Sequence, residues 1–135
     1  MDRLIPYGRI AAVAAAVLAV AGCGGGGEPE GPCDDAGFRN QSEELYVAIA
    51  TAQNAQGSTA PSVRADLEKG VAVLRAYIDR HPPCDEELEK LAESERQALE
   101  RLDAALEALA RGESGADDLA AAVDALGAVE VALRG

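Results

Sequence analysis

The sequence predicts an all-α protein, an up-down-up-down four-helix bundle, and three observations carry that expectation. From Asp34 to the C-terminus apolar residues recur at spacings of three and four, and nowhere alternate as they would in a half-buried strand. Proline and glycine cut this part of the chain into four periodic segments, at Gly57 with Pro61, at Pro82 with Pro83, and at Gly112. The connections so marked are about four residues long, which makes sequential helices antiparallel neighbours.

The chain begins outside that pattern. Arg3 and Arg9 form a short basic stretch, and Ile10 to Ala21 is an unbroken apolar run of twelve residues. A bilayer span needs about 20 residues, whereas a shorter run behind positive charge and ahead of small residues has the form of a secretory signal peptide. The run ends in Leu18-Ala19-Val20-Ala21-Gly22-Cys23, which resembles the lipobox of bacterial lipoproteins. That resemblance implies cleavage before Cys23, lipidation of Cys23, and anchorage on the outer face of the cytoplasmic membrane or on the outer membrane. Gly24 is not the aspartate associated with inner-membrane retention in Gram-negative lipoproteins, which favours the outer membrane in a host that has one. The resemblance covers residues 1–23 and identifies a processing route, with no family recognised for the helical part. Residues 24–32, GGGGEPEGP, can bury nothing and read as a tether with a root-mean-square span of roughly 15–18 Å. The expected organisation is a signal peptide over 1–22, a lipidated cysteine and tether over 23–32, and a helical domain over 33–135.

The first helix starts at Asp34 or Asp35, or only at Asn40, where Asn40 and Glu43 have the spacing of a capping box. Its stripe is Phe38, Leu45, Ile49 and Ala52, and Gly57 stops it. The second has Pro61 in its first turn and runs to about Arg80, with Val63, Leu67, Val71, Leu74 and Ile78 on one face. The third spans about Asp85 to Arg111, opening on three carboxylates that suit the helix dipole. Leu88, Leu91, Leu99, Leu102, Leu106 and Leu109 give it the richest apolar face, and Glu95 on that face marks a place where packing loosens. Glu86 with Lys90 and Glu107 with Arg111 have the spacing of exposed ion pairs, each worth only tenths of a kcal/mol. Gly112 ends this helix. Ser114 and Asp117 open the fourth, whose stripe is Leu119, Val123, Leu126, Val129 or Glu130, and Leu133. Gly70 and Gly127 lie inside helices at a cost near 1 kcal/mol each relative to alanine, which close helix contact would explain.

With Cys23 assigned to lipid, Cys33 and Cys84 remain, and two cysteines in an exported protein read as a disulfide. The topology agrees. Cys33 precedes the first helix and Cys84 follows the second, so an antiparallel hairpin brings them to the same end, where one bridge clamps three helix ends.

The formal net charge of -12 repels nucleic acid and anionic lipid alike. His81 is the only histidine; one imidazole and one oxidised cysteine cannot complete a zinc site, and the acidic run from Asp85 to Glu89 lacks the glycine-centred loop of a calcium site. Ser42, Ser58, Ser62, Ser94 and Ser114 include no nucleophile elbow, and there is no phosphate-binding glycine loop or haem attachment sequence. No catalytic, cofactor or metal residue is therefore expected, and the chain is not read as an enzyme. The expected function is a membrane-anchored, non-catalytic interaction module of the cell envelope, docking an envelope protein through the third helix or an apolar groove. The alternative is a small-ligand carrier with a cavity between Ala-rich helices. The sequence leaves the oligomeric state open.

Overall fold

The computed structural model describes residues 32–135, within which Asp34–Gly135 forms one compact unit. Five helices follow in order: α1, Asp35–Arg39; α2, Ser42–Gln56; α3, Pro61–Arg80; α4, Glu86–Ala110; and α5, Ala116–Arg134. Helices α2 to α5 form the four-helix bundle, with α2 packed on α3 and α5, and α4 packed on α5 and less extensively on α3.

The first expected helix is two helices. Asp34 caps α1, its Oδ1 accepting from the Gly37 N–H at 2.9 Å. One turn later the chain breaks at Asn40 and Gln41, and α2 starts from Gln41, which makes no capping bond. Asn40 thus ends α1 instead of capping α2. The break is stable because its carbonyls find side-chain donors. The Tyr77 hydroxyl, from α3, lies 2.7 Å from the Gly37 carbonyl and 2.8 Å from that of Asn40, donating its one proton to either. Gln41 Nε2 donates to the Phe38 carbonyl at 2.8 Å.

The other boundaries follow local chemistry. Pro61 opens α3. Asp85 caps α4 through the Glu87 N–H at 3.0 Å. Gly112 adopts φ +77°, and the Glu113 N–H reaches the Ala108 carbonyl at 2.8 Å while the Gly112 N–H reaches that of Leu109 at 3.0 Å, a Schellman ending that favours glycine. At α5 the N-cap is Gly115, not Ser114. A Cβ at Gly115 would lie 2.9 Å from Ala105 Cα, so this glycine lets the start of α5 close against α4.

The core is built as the stripes require. Phe38, Leu45, Leu67, Leu74, Ile78, Leu99, Leu102, Leu119 and Leu126 are its largest buried apolar side chains, with Ala48, Ala52, Ala92, Ala98, Ala105 and Ala122 filling the narrow contacts between them. Leu91 and Leu106 are partly buried against this core, and α4 contributes none of the exposed large apolar side chains. The leucine face of the third expected helix is therefore covered, with α4 packed on α5 and on α3.

Two local expectations change. Lys90 pairs with Glu87 at 3.5 Å, not with Glu86, and Arg111 pairs with Glu113 at 3.0 Å, not with Glu107. Arg111 stands in the turn after α4, where Glu113 is nearer than a residue one helical turn back. Gly70 is buried where a Cβ would lie 2.8 Å from Thr51 Oγ1 and 3.6 Å from Ala48 Cα, so α2 and α3 are close here and the Thr51 hydroxyl must turn away to admit a side chain. Gly127 has nothing within 4 Å of such a Cβ, and close contact does not account for it. Gly127→Ala therefore stabilises the protein by about 0.5–1 kcal/mol, whereas Gly70→Ala gains less, because Thr51 must give up its hydrogen bond to the Val47 carbonyl. Urea unfolding midpoints of the two variants, with the larger rise in Gly127→Ala, check this.

Candidate functional site

Two places on the bundle concentrate polar or exposed apolar chemistry. The first is the corner where α1, the end of α3 and the start of α4 meet. Cys33 and Cys84 are joined there as a disulfide. The backbone reinforces the bridge, since the Asp34 N–H donates to the Pro82 carbonyl at 2.6 Å and Asp35 Oδ1 accepts from the N–H groups of Cys84 at 2.6 Å and Asp85 at 3.2 Å. His81, the C-cap of α3, places Nδ1 2.7 Å from Asp34 Oδ2. Its ring packs on Tyr77 with centroids 4.3 Å apart. The Gly37 N–H, and after it His81, hold the Asp34 carboxyl below its usual value, while burial pushes the Tyr77 hydroxyl up. Gly37 is glycine for a steric reason, because a Cβ there would collide with Asp34 Oδ2 and His81 Nδ1.

This corner is constructed for joining segments. His81 has a carboxylate on Nδ1, and among the described hydrogen bonds its side chain meets no hydroxyl nucleophile. Among the described residues no group of three or more His, Cys, Asp and Glu is placed to hold a metal ion. Cys23 lies outside the described residues, and among those described no helix is long and apolar enough to cross a membrane.

The second place is a groove of about 360 Å³ along the seam of α2 and α3. Val47 and Val73, 38% and 44% exposed, supply its apolar surface beside Gly70, and Glu43, Glu44 and Asp66 outnumber Lys69 on its rim. The close approach at Gly70 brings the two helices together without a side chain to fill the seam. Thr51 donates its hydroxyl back to the Val47 carbonyl at 2.8 Å, so its polar end is turned into its own helix. A smaller cleft on the seam of α3 with α4 is lined mainly by charged side chains, Arg75, Asp79, Arg96 and Glu100, and another on the seam of α4 with α5 by Gln97 and Arg101 with Ala98, Ala121 and Ala125. Val47 and Val73 are valines off the periodic stripes, and that displacement is the signal in the sequence that marks this groove.

Comparison with protein-family models, with curated proteins and with solved structures finds no match for this chain. The functional reading therefore rests on the residues themselves.

Proposed function

We propose that this protein is a lipid-anchored, extracytoplasmic interaction module of the cell envelope, without catalytic activity, that docks a basic, partly apolar segment of an envelope protein in the α2–α3 groove. The lipobox-like leader supports the location, with Cys23 as the lipidated residue and residues 24–32 as the leash. The observation that carries the docking reading is the groove itself, where two exposed valines lie between three carboxylates and one lysine. Apolar area supplies the favourable term and the acidic rim selects against anionic surfaces. The alternative, a small-ligand carrier, would hold its ligand in a cavity enclosed between the helices, whereas the described clefts open on the helix seams.

A photo-crosslinker at Val73, introduced into the protein in its native membrane, gives one discrete adduct that disappears when Val47→Asp is added. A crosslinker at Gln97, on the α4–α5 seam, does not give that adduct. Equal adducts from both positions, or none from Val73, overturn the docking site. Because Val47 is more than one-third exposed, Val47→Asp leaves folding nearly unchanged, and circular dichroism of the variant checks it.

A further inference from the structure

Among the described residues Gln41 and Glu95 are the two buried polar side chains of the bundle, both with no exposed surface. They meet across the core from the start of α2 and the second half of the first three turns of α4. Gln41 Nε2 donates to Glu95 Oε1 at 3.2 Å and to the Phe38 carbonyl at 2.8 Å, which uses both hydrogens of the amide. The other two oxygens, Gln41 Oε1 and Glu95 Oε2, have no hydrogen-bond partner. In an ionised pair both are acceptors, and the core contains an unmatched amide oxygen beside an unmatched charge. One proton on Glu95 Oε2 changes this arithmetic. It makes that oxygen a donor, on a carboxyl that Gln41 Nε2 already holds through Glu95 Oε1.

We propose that the folded bundle holds Glu95 as a neutral carboxylic acid donating its Oε2 proton to Gln41 Oε1, and that this pair is a pH-sensitive latch on the α1–α2 corner, closed in acid and released above neutrality. The proton comes from and returns to water. Release acts on the corner because Gln41 is the residue from which α2 starts and also the donor that holds the last buried carbonyl of α1, that of Phe38.

The electrostatics point the same way. Burial raises the Glu95 carboxyl from an ordinary 4.5 to about 7, against smaller opposing effects of the Gln41 hydrogen bond and the Arg96 charge. Arg96 belongs to α4 itself, Gln41 precedes α2, and no charged side chain of α3 or α5 is among the influences on Glu95. The sign follows from linkage. A carboxyl raised in the folded state contributes its full stability below the unfolded value near 4.5 and loses it progressively as pH rises to about 7, where the folded state also ionises. Across that interval the folding equilibrium constant falls about 300-fold, since each pH unit is tenfold.

The test uses the full chain in mild detergent. Carbon NMR of the Glu95 carboxyl is followed from pH 4 to pH 9, and folding stability is measured over the same range for the wild type and for Glu95→Gln, which keeps the shape and removes the titration. The expected results are a Glu95 midpoint near 7, movement of the Gln41 side-chain amide signals with the same midpoint, and a wild-type loss of stability of about 300-fold that the variant lacks. Subtracting the variant removes the pH dependence due to the other carboxylates. A Glu95 midpoint near 4.5, or a variant whose pH profile parallels the wild type, overturns the proposal. If the variant does not fold, the wild-type titration alone decides.

Discussion

Replacing both Cys33 and Cys84 with serine lowers the stability of this protein by about 4 kcal/mol. The bridge closes a loop of about 50 residues, and removing that constraint from the unfolded chain has an entropic effect of this size. For a domain of about 100 residues the same change lowers Tm by roughly 15–30 °C. That is a large share of the stability of a bundle whose core holds eight alanines and a single phenylalanine among its buried apolar residues. It is also local in its first consequence. The bridge, the Asp34 to Pro82 bond and the Asp35 bonds to Cys84 and Asp85 hold the same corner, so loss of the disulfide frees α1 before the bundle opens. Urea unfolding with and without reductant gives the magnitude, and hydrogen exchange at Gly37 and Phe38 gives the order. Equal midpoints in the oxidised and reduced protein would contradict this account of the corner.

Phe38→Ala costs about 3–5 kcal/mol, the range for removing a fully buried aromatic side chain. Phe38 is the one buried residue of α1, a helix too short to persist by its own propensity. The side chain therefore does two things at once, filling the core and holding the segment that leads from Cys33 into the bundle. Because the disulfide restrains the same segment, the two effects are not independent. In a double-mutant cycle Phe38→Ala costs less in the cysteine-free background, where α1 is already released. Chemical denaturation of the four proteins measures this, and a cost below about 1 kcal/mol in the oxidised protein would place Phe38 outside the stabilising core.

The bundle was legible because its information is repeated. Leu67, Val71, Leu74 and Ile78 state the same 3.6-residue period several times, and each bears on one buried face. Gly112 was legible because a positive φ at a helix end has few solutions other than glycine. The cysteine pairing was legible once helix order was known, since antiparallel topology brings Cys33 and Cys84 to one end.

What the sequence hid depends on partners far along the chain. Phe38 and Leu45 are seven residues apart and fit one continuous helix; the break between them is stabilised by Tyr77, about forty residues on, which no local pattern reveals. Gly70 and Gly127 look alike in sequence, and only the neighbouring helix, close at Gly70 and absent at Gly127, sets them apart. Glu95 on an apolar stripe reads as a packing defect until Gln41, 54 residues away, is placed against it. The leucines of α4 suggested surplus apolar surface, whereas the exposed valines of the groove stand off the stripes of α2 and α3.

The central claim is a disulfide-clamped bundle held at a membrane by its N-terminal lipid and occupied there by a protein partner. Mass spectrometry of the protein isolated from its own membranes in mild detergent, without reductant, tests it most directly. The account predicts a chain that starts at Cys23, carries acyl groups, lacks the two hydrogens of free thiols at Cys33 and Cys84, and in its native mass holds a second protein in fixed proportion. A chain that still begins at Met1 without acyl groups would contradict the anchor and the tether, and an acylated chain found alone or with a small molecule in place of a protein would contradict the docking module.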